Sequence, residues 1–328
     1  MSTSLRSLLA FTIAQYLALK QALGRQYAVE RKVLQRLDAF LLPLGDLDPA
    51  TFARWCHGQG HLRSGVRRKR MRIVRNLCLY RRRHEPACFV PDPSQFPPPH
   101  QPISPYIFAE AEIAKLVHAA GSLVPAPAAP LRPQVLRLAI VLLYTTGMRR
   151  GEMARLRVGD YDPVERTLLV RESKFHKSRL LPLSQDGVRE INDYFEARRA
   201  HGRSLAVGEP LLLSNRRKSG SGYTGGGLAQ GIRALLWAVE IKTPAGALPR
   251  VHDFRHTFAV HALLRWYRSG VDVRAKLAFL ATYMGHVSIA STEYYLHFVD
   301  ELAAAASERF VRHCGALVTP ATTTGGPR

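Results

Sequence analysis

The chain has 328 residues, 46% of them apolar, which suffices for two domains with cores of their own and excludes wholesale disorder. Its 47 Lys and Arg against 25 Asp and Glu give a formal charge of +22, so the expected partner is a polyanion, nucleic acid ahead of a membrane surface. No apolar run approaches the roughly 18 residues of a membrane span, since Leu138 to Tyr144 is the longest candidate, and the N-terminal stretch turns polar too soon for a signal peptide.

The first 100 residues hold 17 Lys and Arg against 6 Asp and Glu, a local +11 that is half of the whole excess. Apolar residues recur at helical spacing in Leu8, Phe11, Tyr16, Leu19 and Leu23, and again in Val33, Leu34, Leu37, Phe40 and Leu41, predicting a small helical bundle over residues 1–84. Its last helix carries Arg63, Arg67, Arg68, Lys69, Arg70, Arg72, Arg75 and Arg81 to Arg83 with no acidic residue among them. Ile73, Leu77 and Tyr80 give it a core face, which leaves Arg67, Arg68, Lys69, Arg70, Arg72 and Arg75 as candidate DNA-backbone contacts. Eight prolines between His84 and Pro105 exclude a helix or central strand and mark residues 85–105 as a linker.

Beyond the linker, residues 106–314 read as a mainly helical domain. Helices are predicted over Ile113 to Ala119, Pro133 to Thr146 with a stop near Gly147, Arg150 to Leu156, Gly187 to Ala200, Leu228 to Ala238, Phe254 to Trp266 and Glu301 to His313. Thr167 to Ser173 and Arg179 to Leu183 read as two antiparallel strands around a turn that contains Lys174 and Lys177. Residues 315–328, rich in Thr, Gly and Pro, read as a disordered tail. Cys56, Cys78, Cys88 and Cys314 lack metal-ligand spacing and read as reduced thiols of a cytoplasmic protein.

The chemistry concentrates near the C-terminus, where HDFRHTFAVH (His252 to His261) and MGH (His286) lead to Tyr294 and Tyr295. Phosphodiester cleavage needs a nucleophile, cationic stabilisation of the transferring phosphoryl group and a proton donor for the leaving oxygen. Enzymes lower that barrier by on the order of 20 kcal/mol, and one oxyanion donor supplies only about 3, so several groups must act together.

Five motifs in one order, TGMRRGEMARLRVGDYD (Thr146 to Asp162), SKFHKSRLLPL (Ser173 to Leu183), the HDFRH box, MGH and Tyr295, resemble the catalytic domain of the tyrosine recombinases, the phage integrase family. The resemblance covers residues 106–313 and extends more loosely to the basic front segment, which is similar to that family's core-binding domain. It implies a mainly α fold with a helical N-terminal domain and a mostly helical catalytic domain bearing a small antiparallel sheet.

It also implies roles. Arg149 and Arg255 would clamp the scissile phosphate, with Glu152 shaping the site; alone, Arg149 and Glu152 would read as an ordinary i, i+3 surface pair. His252 would exchange a proton with the attacking phenol, His286 would hold the phosphate, and Lys174 would protonate the leaving 5′ oxygen. The turn lacks the glycines usual in the family, so Lys174 is preferred to Lys177 on its offset to Arg179 and Pro182. Tyr295 would be the nucleophile; Tyr294, about 100° round a helix, cannot face the phosphate equally.

The implied activity is site-specific recombination of double-stranded DNA through a 3′-phosphotyrosyl link, without metal, ATP or other cofactor, by an integrase or transposase of a mobile element. The implied assembly is a homotetramer on two DNA sites, with sister recombinases or accessory DNA-binding proteins as further partners and the nucleoid as the place of work. A type IB topoisomerase-like enzyme and a catalytically inactive DNA-binding accessory factor are the alternatives.

Overall fold

A computed structural model describes residues 5–25, 27–98, 104–171, 178–214, 221–285, 292 and 307–308. The chain divides into two compact units, Met1–Ile103 and Ser104–Arg328.

Among the described residues, the first unit contains four α-helices, α1 (Ala10–Ala22), α2 (Ala28–Leu41), α3 (Pro49–His57) and α4 (Ser64–Arg81). Their shared core is built by Ile13, Tyr16, Leu34, Leu37, Phe52, Trp55, Val74 and Leu77. The helix over α1 forms as expected, but its buried face is Leu9, Ile13, Tyr16 and Leu17, while Leu8, Phe11 and Leu23 face solvent. The segment carries two apolar stripes, and packing against α2 and α4 selects the one that sequence spacing alone could not single out. Buried Asp38 on α2 fixes the entry to α1 by accepting from the amides of Arg6 and Ser7 at 2.9 and 3.0 Å and from Ser7 Oγ at 2.6 Å. Helix α3 starts on an Asp48 cap that accepts from Thr51 N at 2.6 Å, with Pro49 in the first turn.

Much of the proline-rich stretch packs on this unit as an extended strap. Phe96 is buried in its core, with Phe89 and Val90 packed alongside. Arg68 donates to the Pro97 carbonyl at 2.6 Å, Arg75 to that of Pro91 at 3.2 Å and Arg82 to that of Cys88 at 3.4 Å. Spacing by seven puts these three arginines on one side of α4 and its C-cap, and the carbonyls of Cys88, Pro91 and Pro97, outside the short 3-10 turn Pro93–Gln95, are ready acceptors. Arg70 bonds Gln59 Oε1 at 3.2 Å, whereas Arg72 and Lys69, the latter 3.9 Å from Glu30, extend into solvent.

In the second unit, α6 (Arg132–Thr146) is buried nearly all round, as its composition requires, and packs against α5 (Glu110–Gly121), α8 (Gln185–Ala200), α9 (Gly225–Ala238) and α10 (Asp253–Arg268). Between α6 and α8 lie the short helix α7 (Arg150–Met153) and an antiparallel sheet in the order β1 (Tyr161–Asp162), β2 (Thr167–Val170), β3 (Arg179–Pro182). The edge strand β1, only two residues long, is too short for a periodicity signal. Leu168 pairs with Leu181 and Val170 with Arg179, so strand alternation sends Arg179 and Leu181 inward and leaves Leu180 exposed. The final described helix, α11 (Val273–Met284), is capped by Asp272 and packs through Val273, Leu277, Leu280 and Met284 on α10. No described helix is long and apolar enough to cross a membrane.

Candidate active site

Three segments far apart in sequence meet at the carbonyl end of α11. Arg149 follows the Gly147 stop of α6 and is the residue before α7, where its amide donates to Glu152 Oε2 at 2.9 Å; this is the reach-back of a carboxylate three residues into a helix. Its guanidinium donates through Nη1 to Glu152 Oε1 and through Nη2 to the Gly285 carbonyl, both at 2.8 Å. Arg255, in the first turn of α10, is only 2% exposed and donates to the carbonyls of Gly147 at 2.8 Å and Met284 at 2.7 Å. The two arginines expected to act together are thus tethered to adjacent carbonyls, directly before His286 in sequence.

His252 stands exposed at the N-terminal boundary of α10, without a capping hydrogen bond from its side chain, and its ring crosses that of His256 edge-on at 4.8 Å. Partial desolvation by the surrounding chain, then the Arg255 charge, lowers the His252 pKa, with the Arg149 charge acting in the same direction. A neutral imidazole at this place can accept a proton from a phenol. His256 is pushed further, to about 4, by burial and by His252. It packs behind His252 on α10 and reads as the structural member of the pair.

Glu152 sits at the centre, 4% exposed. Burial alone would raise its pKa, but hydrogen bonds from Arg179 and from the Arg149 amide, with the Arg179 charge and the Arg149 side chain, hold it down at about 2. Arg179 is the residue that sequence reading used only as a ruler for the lysine turn. From β3 it donates to Glu152 Oε2 at 2.8 Å and Oε1 at 3.3 Å, and through Nε to the Tyr283 carbonyl at 2.8 Å. The available signal was its inward position on an alternating strand, where a cation requires a buried acceptor. An open cleft adjoins Glu152, lined in part by Arg155, Arg157, Arg171 and Tyr223, with Arg171 paired to Asp160.

Lys174, Lys177, His286, Tyr294, Tyr295, Cys314 and nearly all of the Glu301 to His313 stretch lie outside the described residues. Arg149, His252 and Arg255 are the expected catalytic residues whose surroundings are seen.

The model of the Phage integrase family matches residues 107–301, more than half of the chain. The chain belongs to the phage integrase family. It is 31% identical over 248 residues to the "Putative integrase/recombinase y4rB" of Sinorhizobium fredii, covering 74% of this chain and 77% of that one. Against the tyrosine recombinase XerD of Rhizobium meliloti it is 32% identical over 162 residues, about half of either chain, 49% and 47%. Among solved structures, the Tn1549 transposon integrase in complex with transposon right end DNA aligns over 92% of this chain and 99% of that one, with a TM-score of 0.61 at 17% identity. The XerH site-specific recombinase bound to its palindromic difH substrate aligns over 85% and 78%, also at 0.61, with 16% identity. The mostly helical unit with its three-stranded antiparallel sheet is therefore the tyrosine recombinase fold.

Proposed function

We propose that this integrase-family chain is a site-specific DNA recombinase that cleaves and rejoins double-stranded DNA through a 3′-phosphotyrosyl link made by Tyr295. The observation that carries the reading is the convergence of Arg149 and Arg255 on the Gly285 and Met284 carbonyls, with His252 alongside. Two guanidiniums held there can grip the non-bridging oxygens of one phosphate and stabilise the charge that develops on it. His252 takes the phenol proton, and His286, the residue after Gly285, adds a donor. Lys174 protonates the departing 5′ oxygen. Because the phosphotyrosyl link keeps the energy of the cleaved bond, the released 5′-hydroxyl of a partner strand can reverse the step without ATP.

The basic front unit and the arginine-lined cleft beside Glu152 supply a cationic track for the phosphate backbone. Each of the two units would contact the duplex, and four copies on two sites would exchange strands. An integrase or transposase of a mobile element fits this reading best, and the solved relative from transposon Tn1549, bound to transposon-end DNA, supports it.

The test is a nicked suicide duplex built from DNA flanking the gene, incubated with the protein, denatured and examined for a protein–DNA adduct. The wild type should form the adduct and Tyr295→Phe should not. An adduct that persists in Tyr295→Phe redirects the nucleophile to Tyr294, and plasmid relaxation without strand exchange favours a topoisomerase. Absence of any adduct across the candidate sites argues for a DNA-binding accessory protein.

A further inference from the structure

Two arginines share one buried carboxylate at the heart of the site. Arg149 takes Glu152 Oε1 with Nη1 at 2.8 Å, while Arg179 places Nη2 on Oε2 at 2.8 Å and Nη1 on Oε1 at 3.3 Å. The two guanidiniums are not equivalent. The Arg179 side chain is 10% exposed, and its Nε, Nη1 and Nη2 are all engaged by Tyr283 O and Glu152. The Arg149 side chain is 29% exposed and gives Glu152 only one of its guanidinium nitrogens, beside the bond from its backbone amide. All three guanidinium nitrogens of Arg179 are thus committed to protein acceptors, whereas Arg149 is the more open of the two.

A carboxylate facing a single guanidinium forms a two-pronged neutral pair, which is the preferred geometry of an isolated Arg–carboxylate contact. Glu152 alone with Arg149 would adopt that fork, turn the guanidinium away from Gly285 and cancel its charge. The presence of Arg179 prevents both: it shares Oε2 with the Arg149 backbone amide and so fills that oxygen, restricts Arg149 to a single side-chain bond with the carboxylate, and leaves the three groups with a net charge of +1. We propose that Arg179 is a positioning residue that keeps the phosphate clamp cationic by sharing Glu152 with Arg149. The proposal rests on the reading of Arg149 as a phosphate ligand.

Strand geometry explains why this task falls to β3. Alternation directs Arg179 inward beside Leu181, and the same guanidinium reaches the Tyr283 carbonyl of α11, 104 residues away in sequence. A lysine there could restore the charge but not bridge Glu152 and Tyr283 in one plane.

A double-mutant cycle on the full chain tests the proposal, read as single-turnover adduct formation on the nicked suicide duplex at saturating protein. Arg179→Met should bind the duplex within about threefold of wild type and form the adduct roughly 100-fold more slowly, the size expected for losing one oriented cationic donor. Glu152→Gln should lower the rate in the wild type yet raise it at least about tenfold in the Arg179→Met background, because the carboxylate that neutralises Arg149 is then gone. Arg179→Lys, which keeps the charge, should stay within about tenfold of wild type and should lose rate on adding Glu152→Gln.

A strut that merely holds the fold would give additive losses, so a double variant no faster than Arg179→Met overturns the proposal. If Arg179→Met does not fold, the double variant is compared with Glu152→Gln alone. Rates within about tenfold of each other support charge sharing, and a further 100-fold loss overturns it. A wild type that forms no adduct refutes the recombinase reading itself, whereas an active wild type with an additive cycle refutes only the role of Arg179.

Discussion

Replacing Gly285 by alanine probes the packing of Arg179 against the end of α11. Gly285 closes α11 in the left-handed region at φ +67°, and a Cβ there would lie 2.9 Å from Arg179 Nη1 and 3.1 Å from its Cζ. The left-handed backbone costs an alanine about 1–2 kcal/mol. Pushing Arg179 aside also weakens a bond to a charged partner, worth about 1.5–3 kcal/mol. A total near 2.5–5 kcal/mol should lower the melting temperature of the second unit by roughly 5–20 °C, from the usual dependence for a domain of this size. The control is Gly246→Ala, at φ +74° with nothing within 4 Å of the added methyl, which should show the backbone part alone. Calorimetry of both variants, and of Gly285→Ala combined with Arg179→Ala, measures the difference. The reasoning fails if Gly285→Ala is no more destabilising than Gly246→Ala, or if shortening Arg179 leaves the cost of the Gly285→Ala change unaltered.

Acid should weaken the fold in two stages. His256 takes up its proton near 6.5 when unfolded and only near 4 in place, so its contribution is complete above pH 6.5 and about 2–3 kcal/mol is lost between there and pH 4. Urea titrations across that window should show His256→Asn with the flatter profile. Glu152 behaves likewise between about 4.5 and 2, and Glu152→Gln should remove that second slope. In the first unit, Arg68→Gln should free the strap and speed proteolysis between residues 88 and 98, leaving the helical circular dichroism signal unchanged. On the recombinase reading, neutralising exposed Lys69 and Arg72 together should reduce the salt slope of DNA binding by about 1.8 without loss of stability; an unaltered slope places α4 off the DNA.

What the sequence disclosed depends on how local the signal is. The stop of α6 at Gly147, the paired strands β2 and β3 and the buried α6 follow from periodicity and composition within a few residues. Arg149 and Arg255 were recognisable because their motifs keep a fixed order, although the carbonyls that hold them lie 136 and 29 residues away from Arg149 and Arg255 respectively. Helix α11, absent from the predicted elements, carries its own local signal in Asp272 as a cap and Val273, Leu277, Leu280 and Met284 on one face. Two features were not legible. The face of α1 was decided by its neighbours, and the basic stripe of α4 did two jobs at once: Arg68, Arg75 and Arg82 hold the strap, while Lys69 and Arg72 remain in solvent. A run of arginines announces charge, and only the fold assigns each one a partner.

The last three carbonyls at the end of α11 each accept from a different arginine, Tyr283 from Arg179, Met284 from Arg255 and Gly285 from Arg149. During synthesis, every one of those cations emerges from the ribosome before its carbonyl at the end of α11, although Glu152 and Gly147 are already made when Arg179 and Arg255 appear. Arg149 must wait for 136 further residues, a delay of seconds at ordinary elongation rates. Until α11 docks, the three arginines have no common frame. The order of translation thus gives a nascent chain its positive charge well before the carbonyls that draw these side chains to one place.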